Sequence, residues 1–186
     1  MVQLAEIIDP RNVACSVSVS SKKKALHHLA SILSSSLNTP AVSTDEDSQA
    51  QTAGTETDES AASQEEEVFG EMDILDALIG RERLGSTALG QGVAVPHGRI
   101  ADLEKPVAAL VTLAKGIEFD APDDNEVDIL FALLVPESST DDHLAILSQV
   151  AEKFSQKELT DRLRDCAEGE NKIALDIFCQ TADKGA

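Results

Sequence analysis

Two apolar runs constrain this chain more than any other feature: Val107–Ala114 and Val127–Val135, both dominated by aliphatic residues and broken only by Thr112, Asp128 and Phe131. A strand with one face in water alternates apolar and polar residues, whereas runs like these suit central strands buried on both faces. Covering both faces takes helices, and the chain supplies them. Lys22–Leu37 places Ala25, Leu26, Leu29, Ala30, Ile32, Leu33 and Leu37 on one helical face, behind Ser20 and Ser21, either of which can cap the helix. Glu71–Arg83 repeats the pattern with Met72, Leu75, Leu78 and Ile79 inward. A helix starting at Asp141 or Asp142 runs to Phe154, and two more follow at about Gln156–Ala167 and Glu170–Ala182. Shorter strand patterns lie at Val13–Val19 and Val93–Val95. The expected class is α/β, with a mixed, mostly buried β-sheet flanked by helices. Tyr and Trp are absent and there are only five Phe, so the core has to be aliphatic.

One stretch cannot join that core. Residues 41–67 hold nine acids and no Lys or Arg, among Ser, Thr, Gln and Ala. Such a composition buries too little apolar surface to offset the entropy of ordering, and it reads as a disordered acidic insert in a single domain spanning 1–186. Asp45, Asp47, Gln49 and Glu56 imitate positions 1, 3, 5 and 12 of a calcium loop, but Ala50 stands where the turn requires glycine, and no helices flank it. Calcium binding is therefore rejected.

The formal net charge is −19. Nucleic-acid backbones and anionic membrane surfaces both call for clustered Lys and Arg, so neither is an expected partner. No apolar stretch is long enough to span a bilayer, and the first residues lack a basic region followed by an apolar run, which points to a cytoplasmic protein. Cys15, Cys166 and Cys179 are odd in number and form no CxxC pair, so they read as free, mostly buried thiols.

The chemistry concentrates in Arg81–Arg99. Three glycines at 85, 90 and 92 let backbone amides approach a ligand. Ser86 and Thr87 add hydroxyls, and Arg81, Arg83 and Arg99 add guanidinium groups that suit phosphate oxygens. The segment closes on His97, held between Pro96 and Gly98 at a strand end. An anion beside an imidazole fits these parts. Serine hydrolysis does not, because no Gly-x-Ser-x-Gly is present. Gly85 and Gly90 have the spacing of a phosphate loop, but Gln91-Gly92 follows where Lys-Ser/Thr is needed, and the glycines precede a strand and do not open a helix as a dinucleotide site requires. His27, His28 and His143 have no HxH or HxxxH spacing, so neither a metal nor another cofactor is expected.

The run Gly85-Ser86-Thr87-Ala88-Leu89-Gly90-x-Gly92-Val93-Ala94-Val95-Pro96-His97-Gly98, preceded by Arg81-Glu82, resembles the signature of fructose/mannitol-type enzyme IIA domains of the bacterial phosphotransferase system. Ile117-x-Phe119-Asp120-Ala121, Val127–Pro136 and His143-Leu144-x-x-Leu147 extend the likeness, and Ser21–Leu26 is similar to the nitrogen-regulatory branch. The resemblance implies a regulatory phosphocarrier with the IIA fold, phosphorylated on His97, with His143 and Arg81 beside it. Gly85, Ser86 and Thr87 are then expected to meet the phosphoryl oxygens. A histidine phosphocarrier protein would be the donor, and potassium-transport or sensor-kinase proteins the regulated targets. The alternatives are a sugar-specific IIA that passes phosphate to a IIB component, and an interaction module indifferent to phosphorylation. The acidic insert departs from the family pattern.

Overall fold

A computed structural model of the chain describes residues 4–39, 69–138 and 141–180. The acidic segment 41–67 lies outside the described residues.

The short helix α1 (Leu4–Ile7) leads into strand β1 (Ile8–Val17), then helix α2 (Lys22–Asn38). Helix α3 (Glu71–Glu82) precedes three short strands, β2 (Ala88–Gly90), β3 (Val93–Ala94) and β4 (His97–Ile100). The long strands β5 (Val107–Ile117) and β6 (Val127–Pro136) follow, and α4 (Asp141–Phe154), α5 (Lys157–Arg164) and α6 (Asn171–Cys179) close the chain.

The strands form one mixed sheet in the order β1-β5-β6-β3-β2, with β4 also on β6. The two apolar runs are its centre: β5 and β6 pair antiparallel from Val107↔Leu134 to Ile117↔Val127. Residues of β6 alternate between two cores. Ile129, Phe131, Leu133 and Val135 join the side covered by α4, α5 and α6. Leu130, Ala132 and Leu134 join the side covered by α2 and α3. Both faces are thus buried, as the missing polar alternation demands. Three of the five Phe, at 131, 154 and 178, stack together with ring centroids 5.2–6.1 Å apart and fasten α4 and α6 to β6.

Ser21 caps α2, its side chain accepting from the Lys24 N–H at 3.3 Å. In α3, Glu71 and Asp73 sit in the first turn, where the helix dipole favours acids. Its buried face is Ile74, Leu75 and Leu78, while Met72 is 60% exposed. The face is therefore rotated from the expected one, because α3 packs on both α2 and β4. β1 runs Ile8–Val17, earlier than the Val13–Val19 pattern suggested; as an edge strand it tolerates Pro10, which cannot donate to a ladder. The last two helices are each shorter than expected within the described residues.

Candidate functional site

The strand expected at Val93–Val95 does not end at His97. It breaks and resumes. Val93 and Ala94 pair with Ile129 and Leu130, and His97–Ile100 pair with Leu133–Pro136 on the same edge of β6. Pro96 has no N–H for the ladder. Its carbonyl still accepts from the Leu133 N–H at 3.0 Å, while the Val95 N–H turns away to the Thr87 carbonyl at 3.0 Å. The break leaves the Val95 carbonyl free to face the ring of His97. The Nδ1 of His97 meets that oxygen at 2.8 Å. A carbonyl only accepts, so Nδ1 carries the proton and Nε2 keeps its lone pair.

Helix α3 packs against β4 at Gly98, so Arg81, one helical turn beyond Ala77, lies over the strand. Arg81 Nε donates to His97 Nε2 at 3.0 Å, and Arg81 Nη1 donates to the Gly85 carbonyl at 3.1 Å. His143, near the start of α4, approaches the same ring, its ring centroid 5.1 Å from that of His97 and nearly perpendicular to it. Both rings are more than nine-tenths buried, and His143 Nδ1 is buried with no hydrogen-bond partner among the described residues. Burial pushes the His97 pKa below the ordinary histidine value; the Val95 carbonyl and Glu82 act the other way, and the charge of Arg81 adds to the lowering. His143 is lowered as well, first by burial and then by His97, Arg99 and Arg81. Two neutral imidazoles and two guanidinium groups therefore share one hollow of about 520 Å³, at whose rim Leu84 and Leu144 are 85% and 67% exposed.

The Gly-rich segment is not all loop. It contains β2, which pairs antiparallel with β3. Gly92 adopts φ +81°, and a Cβ there would also lie 2.5 Å from Arg164 Nη2, the group that holds the Gln91 carbonyl at 2.7 Å, so glycine is required on both counts. Ser86 and Thr87 direct their hydroxyl protons into the protein: Ser86 donates to the Phe119 carbonyl at 2.8 Å and Thr87 to the Glu82 carboxylate at 2.5 Å. Of the six residues singled out in the sequence, His97, Arg81 and His143 converge, and Gly85 touches them through Arg81. Arg99 lines the same hollow, while Arg83 lines a separate groove between α2 and α3. His27 and His28 lie on α2, away from this hollow. Sequence reasoning passed over Glu82, although an acid in the last turn of a helix opposes the dipole and signals a partner.

Among the described residues no three His, Cys, Asp or Glu side chains form a metal-ligating group, and no helix is long and apolar enough to cross a membrane. The three cysteines are free thiols, and burial pushes Cys15 up to about 11.

The family model for the phosphoenolpyruvate-dependent sugar phosphotransferase system, EIIA 2, matches residues 6–175. A nitrogen regulatory protein of Pseudomonas aeruginosa is 32% identical over 179 residues, covering 95% of this chain and 97% of that one. A fructose-specific EIIA component of Haloferax volcanii is 38% identical over 110 residues, 59% of this chain and 70% of that one. The crystal structure of the nitrogen regulatory protein IIA-Ntr from Neisseria meningitidis superposes with a TM-score of 0.73 at 30% identity, covering 95% of this chain and 99% of that one. The chain belongs to the EIIA 2 family of the phosphoenolpyruvate-dependent sugar phosphotransferase system, and over 95% of its length it is similar to a nitrogen regulatory protein.

Proposed function

We propose that this chain is a regulatory phosphocarrier of the cytoplasm that accepts a phosphoryl group on Nε2 of His97 from a histidine phosphocarrier protein. The observation that carries the reading is the locked tautomer: Nδ1–H is tied to Val95, and Nε2 presents its lone pair beside Arg81. A neutral imidazole is the nucleophile such a transfer needs, and lowering of the His97 pKa keeps it neutral near pH 7.

In the transfer, a bond forms between His97 Nε2 and phosphorus while the donor's phosphorus–nitrogen bond breaks, its electron pair leaving with the donor imidazole. Arg81 releases Nε2 and takes a phosphoryl oxygen. Charge stabilisation dominates such a loose transition state, and Arg81, Arg99 and a ring nitrogen of His143 supply it. Gly85, Ser86 and Thr87 serve by shaping the loop whose Gly85 carbonyl holds Arg81 and whose Thr87 carbonyl holds Val95, since the two hydroxyl protons are already engaged. The exposed Leu84 and Leu144 give the donor protein an apolar rim to dock on. Phosphorylation adds negative charge at this rim, and the regulated targets, potassium-transport or sensor-kinase proteins, would read that change.

The test is incubation with phosphoenolpyruvate, enzyme I and the phosphocarrier protein, followed by intact mass in alkali, where phosphohistidine survives. One added phosphoryl group is expected, absent in His97→Ala and retained in His27→Ala and His28→Ala. Labelling that persists in His97→Ala would overturn the assignment. The likeness to a fructose-specific EIIA component favours a second reading, in which the phosphoryl group passes on to a IIB component; transfer to a purified IIB domain separates the two.

A further inference from the structure

Residues 81 and 82 are neighbours in the last turn of α3, about 100° apart around the helix axis. Arg81 faces His97. Glu82 faces inward, with its side chain only 5% exposed. Its carboxylate accepts from the Thr87 N–H at 3.1 and 3.3 Å and from the Thr87 hydroxyl, and it pairs with Lys22 Nζ at 2.6 Å. Lys22 in turn reaches Asp120 at 2.8 Å. Beyond Thr87 the chain of contacts continues without a gap. The Thr87 carbonyl accepts from the Val95 N–H, and the Val95 carbonyl accepts from His97 Nδ1.

We propose that Glu82 is a positioning residue for His97, setting the ring's tautomer and orientation through Thr87 and Val95 while its neighbour Arg81 holds the other ring nitrogen. This inference rests on the phosphocarrier reading only for its effect on rate; the tautomer it fixes is a property of the unphosphorylated protein. The physical argument is one of anchoring. A buried carboxylate with two donors and a cationic partner is costly to move, so Thr87 is pinned, and with it the peptide that orients Val95. Without that anchor the Val95 carbonyl is free to rotate from the ring. Proton placement on the imidazole then rests on Arg81 alone, its bias is weakened, and Nε2 is protonated for part of the time. A protonated Nε2 has no lone pair to attack with. Lys22, by neutralising Glu82, ties the start of α2 into the same support.

The experiment uses the full chain with its histidine rings labelled with nitrogen-15. In the wild type the two His97 nitrogens are expected at well-separated shifts, one protonated and one bare. Glu82→Ala and Thr87→Val are expected to move both toward the averaged values of a mixed tautomer. Phosphoryl acceptance from the phosphocarrier protein is expected to slow by about tenfold to a hundredfold, the scale of a small misplacement. Glu82→Gln, which keeps an acceptor for the Thr87 N–H, is expected to recover most of the separation. Should Glu82→Ala fail to fold, Thr87→Val decides, since it keeps the side chain's volume. Wild-type ring shifts and rate in a folded Glu82→Ala or Thr87→Val protein would overturn the inference. A wild-type chain that takes no phosphoryl group would overturn the phosphocarrier reading instead, and the ring shifts alone would then decide whether Glu82 sets the tautomer.

Discussion

Gly98 and Ala77 leave no room for a methyl group between them: a Cβ on Gly98 would sit 3.0 Å from the Ala77 Cβ and 3.1 Å from its carbonyl carbon. This contact sets how closely α3 lies on β4, and so where Arg81 falls relative to His97. Gly98→Ala is expected to cost about 1–3 kcal/mol by overpacking. It should also slow phosphoryl acceptance, because the helix has to lift from the strand. Urea unfolding and the acceptance rate, measured together, check both halves.

Arg81 makes two directed contacts, through Nε to His97 and through Nη1 to Gly85. Lysine has one point of charge and cannot reproduce this fork. Arg81→Lys is expected to lower the acceptance rate by about a hundredfold, the scale of one lost charge-stabilising donor. It should leave the fold intact, since the interaction lies at the surface of α3. A quench-flow comparison at equal donor concentration reads the difference; an unchanged rate would remove Arg81 from the mechanism.

His28, His97 and His143 are all lowered below the ordinary histidine range, each first by burial. The unfolded chain therefore takes up protons near pH 6.5 that the folded chain still refuses. Stability is expected to be level with respect to these groups above that pH and to fall as pH drops below it. Urea midpoints at neutral pH and at two mildly acidic values test this. The acid-side loss should be smaller in His97→Ala, which removes one of the three groups.

Leu84 and Leu144 are almost free of intramolecular packing, at 85% and 67% exposure. Replacing each with Ser is expected to change stability by less than about 0.5 kcal/mol. If the donor docks there, its apparent KM rises while kcat holds. A steady-state titration of phosphocarrier protein against the two variants measures it, and unchanged KM in the double variant would place docking elsewhere.

The sheet's centre and its flanking helices were legible because burial leaves a strong signature: the runs at 107–114 and 127–135 have no other stable home. Smaller features were not. β4 escaped notice because Pro96 reads as an end, and only the shared edge of β6 lets a strand resume after it. β2 is three residues with two partners, too short for any periodicity to register. The rotation of α3 that exposes Met72 and buries Ile74 depends on which neighbours it meets, and spacing within the helix cannot report that. At the site, Arg81, His97 and His143 came from a motif, whereas the inward hydroxyls of Ser86 and Thr87 follow from acceptors at Glu82 and Phe119 that no local pattern reveals.

β6 is bonded along both edges, to β5 on one side and to β3 and β4 on the other. Its amides from Ile129 to Val135 can exchange with solvent hydrogen only when the sheet itself opens, at a free energy near that of global unfolding. His97 is laced directly to that strand. The backbone that carries the ring should therefore outlast local openings of helices and loops, so that a chain which still protects β6 from deuterium still holds His97 in place for α3 and α4 to dock Arg81 and His143 against it again.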